Sequence, residues 1–330
     1  MMPWIYATGE NVSQLLKIDS LKLGLMGAIE QCIVQIDSIG IERGESLGLV
    51  GESGSGKTLS ALSIMKLLPR RVRFLDGRIT FDGIEITSLD ETQMGRIRGR
   101  KIGMVFQEPA AALDPLFTIG NHLGEALSFC RNKVERKEKT LALLRDVGLP
   151  NPERMLDLYP HEISGGMKQR VMIAIAVAGD PDLLIADEPT TALDATIQKQ
   201  VLSLINGLVA SRNMSLLVIS HDLNVVRYLC DRIVVMYAGK IVECAEREEL
   251  FNNPKHPYTQ LLLESMLTGK SRDERELLHI KGDVPDPSHF PTGCRFHPRC
   301  PYVMDVCRDN EPNLLEIQKD HKAACHLYKS

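Results

Sequence analysis

A chain of 330 residues, 44% of them hydrophobic and 25% charged, can bury a large core plus an appendage and reads as a soluble globular protein. Its net charge of -4 excludes a general attraction to nucleic acid, and the basic clusters at 70–73 and 96–101 read as solvated faces. No stretch reaches the roughly 18 apolar residues that a membrane-spanning helix requires, and the first residues lack the pattern of a secretory leader, so a cytosolic chain is expected. Thiols stay reduced there, which leaves the eight cysteines to be explained as core, metal-binding or redox residues.

In chain order, "LLKIDSLKL" (15–23) and "CIVQIDSIGI" (32–41) alternate apolar and polar residues, as does "GRITFDGIEI" (77–86). That period predicts antiparallel strands with one solvated face. Short continuous apolar runs follow: "LGLV" (47–50), "IGMVF" (102–106), "LLIA" (183–186), "SLLVIS" (215–220) and "RIVVMY" (232–237). Interleaved with helical stretches, they predict an α/β fold whose parallel sheet is buried between helices. Helix formers dominate an insert at about 108–170, and prolines crowd in after residue 250. The expected division is a domain at 1–250 and an irregular extension at 251–330.

The octapeptide "GESGSGKT" (51–58) directly follows the run "LGLV". Its glycines let backbone N–H groups converge on phosphate oxygens at a helix N-terminus. Residues Gly51, Glu52, Ser53, Gly54, Ser55, Gly56, Lys57, Thr58 and Leu59 are the candidate ATP-binding set. In it, Lys57 would reach the β- and γ-phosphates and Thr58 would ligate Mg²⁺. A second candidate centre is "LLIADEPTTALD" (183–194), a buried strand running into two acids. Asp187 suits a Mg²⁺ partner, and Glu188 suits the base that orients and deprotonates an attacking water.

Between these, "ISGGMKQR" (163–170) resembles the signature motif of ABC-type ATPases. Gln107 in "MVFQEP", Asp194 in "TALD" and His221 in "VISHD" are similar to that family's Q-, D- and H-loops, and all occur in the family's order. The resemblance implies a RecA-like parallel core with an antiparallel β subdomain and a helical insert. It implies that Glu188, His221 and Gln107 are catalytic, with Mg²⁺ held through Thr58, Gln107 and Asp187. It also implies that Ser164, Gly165, Gly166 and Met167 act on nucleotide bound by a second ATPase subunit in a head-to-tail dimer. Family members usually stack adenine on an aromatic residue ahead of the phosphate loop; Leu25 stands in that place here, which predicts a weaker or less selective grip on the base.

The tail narrows the resemblance. "NNPKHPYTQLLLESM" (252–266) is similar to the segment after the ATPase core in dipeptide/oligopeptide and nickel importers. The implied role is an ATP-hydrolysing subunit at the cytoplasmic face of the membrane, energising import of a small solute, most of all peptides. The implied partners are two membrane-spanning permeases and an extracytoplasmic solute-binding protein, with no nucleic acid. Nickel import, or a soluble ABC ATPase of DNA repair or translation, are the alternatives. Four tail cysteines, Cys294, Cys300, Cys307 and Cys325, suit a tetrahedral metal centre or an iron–sulfur cube. The resemblance favours a [4Fe–4S] cluster over zinc or unliganded thiols. Cys32, Cys130, Cys230 and Cys244 read as core fillers.

Overall fold

The computed structural model describes residues 14–27, 31–191, 193–267 and 282–328; the leader reading of the first residues lies outside these. The strands, in chain order, are β1 Gln14–Leu25, β2 Gln31–Glu42, β3 Ser46–Val50, β4 Val72–Phe81, β5 Ile84–Glu85, β6 Ile102–Val105, β7 Leu183–Asp187, β8 Ser215–Ser220, β9 Arg232–Tyr237, β10 Lys240–Glu246, β11 Leu315–Gln318 and β12 His321–Ala323. They fall in two compact units. Of the described residues, one comprises those up to Glu42, Ser46–Ser88 and those from Ile219 onward; the other comprises Arg43–Glu45 and those within Leu89–Val218.

In the first unit β1 runs antiparallel to both β2 and β4, with Ile18 opposite Ile39 on one side and Ile79 on the other. Leu16 and Ile18, then Leu21 and Leu23, are buried two apart, with the phase shifted at Ser20, where φ is 52° and the pairing with β4 slips; Lys22 reaches out to pair with Asp76 at 3.3 Å. β3 is parallel to β9, with Leu49 opposite Val234. All five residues of β3 are buried, which is why its apolar run is continuous.

The C-terminal region belongs to this unit and adds to its sheet. β12 pairs with β10 through Glu243 opposite Ala323 and Cys244 opposite Lys322, and β11 pairs with β12. These strands, four and three residues long, are too short to display a period. A knot of fully buried rings packs beside them: the Tyr237 and Tyr258 centroids are 4.7 Å apart, and Phe296 stands 5.0 Å from Tyr237 and 5.4 Å from Tyr258. Ring pairs at such separations add to the stabilisation from burial alone.

In the second unit β6 and β7 are parallel, with Met104 opposite Ile185, and β8 lies beside β7. The helix Gly165–Ala176 crosses closely over β6. A Cβ on Gly103 would sit 2.0 Å from the Ala176 carbonyl oxygen, so this approach requires glycine. Arg212, at the end of the helix Ala195–Arg212, pairs with Asp180 at 2.6 Å and Asp146 at 2.7 Å. Among the described residues no helix is long and apolar enough to cross a membrane.

Candidate functional site

The phosphate loop leaves the carboxyl end of β3 and turns into the helix Lys57–Ile64. Two glycines make the turn possible. Gly56 has φ 100°, a left-handed conformation that costs a residue with a Cβ. A Cβ on Gly51 would lie 2.1 Å from the Met236 carbonyl oxygen of β9. The loop is pinned from the same side by the Gly239 N–H, which donates to the Ser55 carbonyl at 2.9 Å. Ser53 and Gly54 at the crest are exposed and Thr58 is half-buried. Lys57 is 5% exposed; its Nζ donates to the carbonyl oxygens of Gly51 and Glu52 at 2.8 and 2.9 Å. The ammonium is thus already held inside the loop that is to receive an anion.

Glu52 is held from outside the loop. Its N–H donates to the Tyr258 hydroxyl at 2.8 Å, and its carboxylate accepts both Arg299 Nη atoms at 2.7 and 3.0 Å. Sequence reasoning did not single out Tyr258 or Arg299, because both lie more than two hundred positions from the loop and match no motif; the separation is 206 residues for Tyr258 and 247 for Arg299.

The second unit holds most of the other predicted groups. Asp187 ends β7 and is 2% exposed. Glu188 follows at φ 46°, a conformation that L-residues adopt at a cost and that recurs at functional sites. Its Oε2 accepts from the Thr191 hydroxyl at 2.7 Å. Ser164 caps the signature helix, its Oγ accepting from the Met167 N–H at 3.3 Å, and leaves Ser164 and Gly165 exposed with Gly166 and Met167 half-buried. Gln169 ties that helix to the acidic segment by donating to the Pro189 carbonyl at 2.7 Å. Asp194 caps the helix Ala195–Arg212, accepting from Thr196 and Ile197 at 3.0 Å each. Gln107 stands exposed just past β6. In the first unit, His221 is exposed directly after β8, and Leu25 is half-buried at the end of β1, opposite Val72.

The tail cysteines correct the expectation of an iron–sulfur or zinc centre. Cys294, Cys300, Cys307 and Cys325 line one cavity of about 10 Å³. Among the described residues, however, no three His, Cys, Asp or Glu side chains are grouped so as to hold a metal ion. Burial pushes the Cys294 and Cys325 thiols up to about 11 and raises that of Cys300. Raised thiol pKa values of this kind keep Cys294, Cys300 and Cys325 poorly reactive. Among the described residues the tail thiols thus form no metal-holding group, and none of the four is in a disulfide.

A strand, a glycine-rich turn and a helix N-terminus carrying a lysine, in a chain with a second strand ending in paired acids, define a phosphate-loop ATPase. Comparison with known proteins narrows this. Residues 34–191 match the family "ABC transporter", and residues 242–307 match "Oligopeptide/dipeptide transporter, C-terminal region". The oligopeptide transport ATP-binding protein AppD of Bacillus subtilis is 45% identical over 96% of this chain and 98% of its own length. The dipeptide transport ATP-binding protein DppD of Escherichia coli is 43% identical over 88% of this chain and 89% of its own. The ATP-binding cassette MJ0796, solved as a dimer in a post-hydrolysis state bound to ADP and phosphate, is 29% identical, covering 71% of this chain and 99% of its own with a TM-score of 0.63.

The chain belongs to the ABC transporter ATP-binding family, with a C-terminal region of the oligopeptide/dipeptide transporter type. It is an ATPase that energises transport by a membrane ABC complex, with ATP as substrate and Mg²⁺ as its metal, and its family implies dimerisation and permease partners.

Proposed function

We propose that this subunit drives the import of di- or oligopeptides, from the cytoplasmic face of the membrane, in a complex of two ATPase subunits and two membrane-spanning permeases supplied by an extracytoplasmic binding protein. The observation that carries this reading is the oligopeptide/dipeptide transporter region at 242–307 on the same chain as the ATPase motifs. We take the ATPase domain as 1–250, with its insert at about 108–170, and the extension as 251–330.

Each motif residue has a role its local structure supports. Gly51–Leu59 bind the triphosphate, with Lys57 turning from the loop carbonyls to the β- and γ-phosphates. Thr58, Asp187 and Gln107 would hold Mg²⁺, which neutralises phosphate charge when bound. Glu188 takes the proton of the attacking water, and His221 orients that water and the γ-phosphate. Ser164–Met167 present an uncluttered helix N-terminus to nucleotide on the partner subunit, with Asp194 beside that junction. Closing such a sandwich excludes water and positions the reactants, which supplies most of the catalysis in phosphoryl transfer.

The test is reconstitution in proteoliposomes with two permeases and a solute-binding protein of a peptide importer. ATP-driven accumulation of labelled di- and tripeptides supports the reading. Uptake of Ni²⁺ in place of peptide would redirect the substrate, and ATPase activity that DNA stimulates and permeases leave unmoved would overturn the transport role.

A further inference from the structure

A loop that gathers backbone N–H groups around an anion is a poor place for a carboxylate, since like charges a few ångströms apart repel strongly in a partly desolvated site. Glu52 puts one there, directly after Gly51. Its charge is met by the C-terminal region. Arg299 closes the 3₁₀ turn His297–Arg299, between Cys294 and Cys300, and its two Nη atoms bond both Glu52 oxygens at 2.7 and 3.0 Å.

This is no loose surface pair. The Arg299 side chain is 5% exposed. Its guanidinium lies 5.7 Å from the centre of the Tyr237 ring and donates to that hydroxyl at 3.3 Å. Tyr237 is in turn locked against Tyr258 and Phe296, and Tyr258, from the helix Pro257–Leu267, receives the Glu52 N–H. A planar guanidinium with both ends fixed holds a carboxylate in one place, which an exposed lysine would not.

We propose that Arg299 is a positioning residue for nucleotide binding: by neutralising Glu52 and holding its carboxylate out of the phosphate-binding concavity, it lets the C-terminal region set the loop's affinity for ATP. The inference rests on residues 51–58 being the ATP site.

The test uses the full chain, with a fluorescent ATP analogue for affinity and steady-state hydrolysis for KM and kcat. R299M leaves Glu52 uncompensated, and weakens nucleotide binding and raises KM by about tenfold, the size of one lost charge-assisted contact, with a much smaller effect on kcat. Adding E52Q to R299M removes the stranded charge and recovers most of that loss. Full affinity in R299M overturns the proposal. So does an R299M/E52Q protein as weak as R299M, since the loss then reflects damage to the C-terminal region and not the carboxylate. If R299M does not fold, R299Q against R299Q/E52Q makes the same comparison, because glutamine also carries no charge. K57A serves as the control: normal ATP binding in K57A would sink the assignment of residues 51–58 itself, whereas its loss beside an unaffected R299M sinks only the role of Arg299.

Discussion

The imidazole of His321 bridges two carboxylates, with Nε2 2.7 Å from Glu243 Oε1 and Nδ1 3.3 Å from Glu249 Oε1. His321 and Glu243 are both fully buried, and Glu243 also accepts the N–H groups of Lys255 and His256 at 2.6 and 2.8 Å. β12 is thereby bolted to β10 by a polar cluster in addition to their backbone pairing. Removing one partner from a buried pair strands the other, at a cost of about 3–5 kcal/mol. H321A is therefore expected to lower the chemical-denaturation stability by that order, and H321Q by less. Equal stability of H321A and the native chain would contradict the bolt.

Glu188 is expected to separate binding from chemistry. E188Q keeps the size of the side chain and an acceptor for the Thr191 hydroxyl but loses the base. Hydrolysis should fall about 10²- to 10⁴-fold while ATP affinity holds. Single-turnover hydrolysis and equilibrium titration of the same preparation check both halves.

The signature predicts complementation between chains. S164R blocks the helix N-terminus offered to a partner, and K57A disables the chain's own phosphate loop. Each variant alone should be inactive. A mixture contains dimers with one intact composite site and should hydrolyse ATP faster than either alone; no gain on mixing would argue against a loop-to-signature sandwich of this chain with itself.

His256 should make stability depend on pH in a narrow window. It is 1% exposed, and burial holds its pKa down to about 4, against an opposing pull from Glu243. Its Nδ1 accepts the Tyr258 N–H at 3.0 Å, which requires a neutral ring. The unfolded chain takes up this proton near pH 6.5 and the folded chain only near 4. The stabilisation is complete above pH 6.5 and drains away as pH falls through the window, by about 3 kcal/mol. H256N should flatten the stability profile between pH 6.5 and 4, read by urea denaturation at stepped pH.

The tail thiols should react slowly while the chain is folded. With Cys294 and Cys325 pushed up to about 11 by burial, little thiolate is present at pH 8. Alkylation followed by peptide mass spectrometry should label both residues far more slowly in the native chain than in urea. Native labelling at the rate of a free thiol would refute their burial.

The site was more legible than the tail, for a physical reason. Phosphate binding needs glycines, a lysine and a helix start at fixed local spacing, so "GESGSGKT" announces itself in eight consecutive residues. Buried parallel strands likewise need unbroken apolar runs, and β3, β7 and β8 appear where "LGLV", "LLIA" and "SLLVIS" were read. The tail misled, because four cysteines among prolines show only that sulfur is available. Whether thiols meet at ligand distance depends on a fold that has no period to read.

The sequence by itself determined the class, an ATPase of the ABC family, since the motifs that carry it are local arrangements of backbone and side chains. Only the tertiary structure decided that, among the described residues, the tail thiols form no metal-holding group, and that β12 closes on β10 through His321 and Glu243. It alone brought Arg299 onto Glu52 across 247 positions of chain. Contacts at such separations depend on how whole elements pack, and no local spacing encodes them.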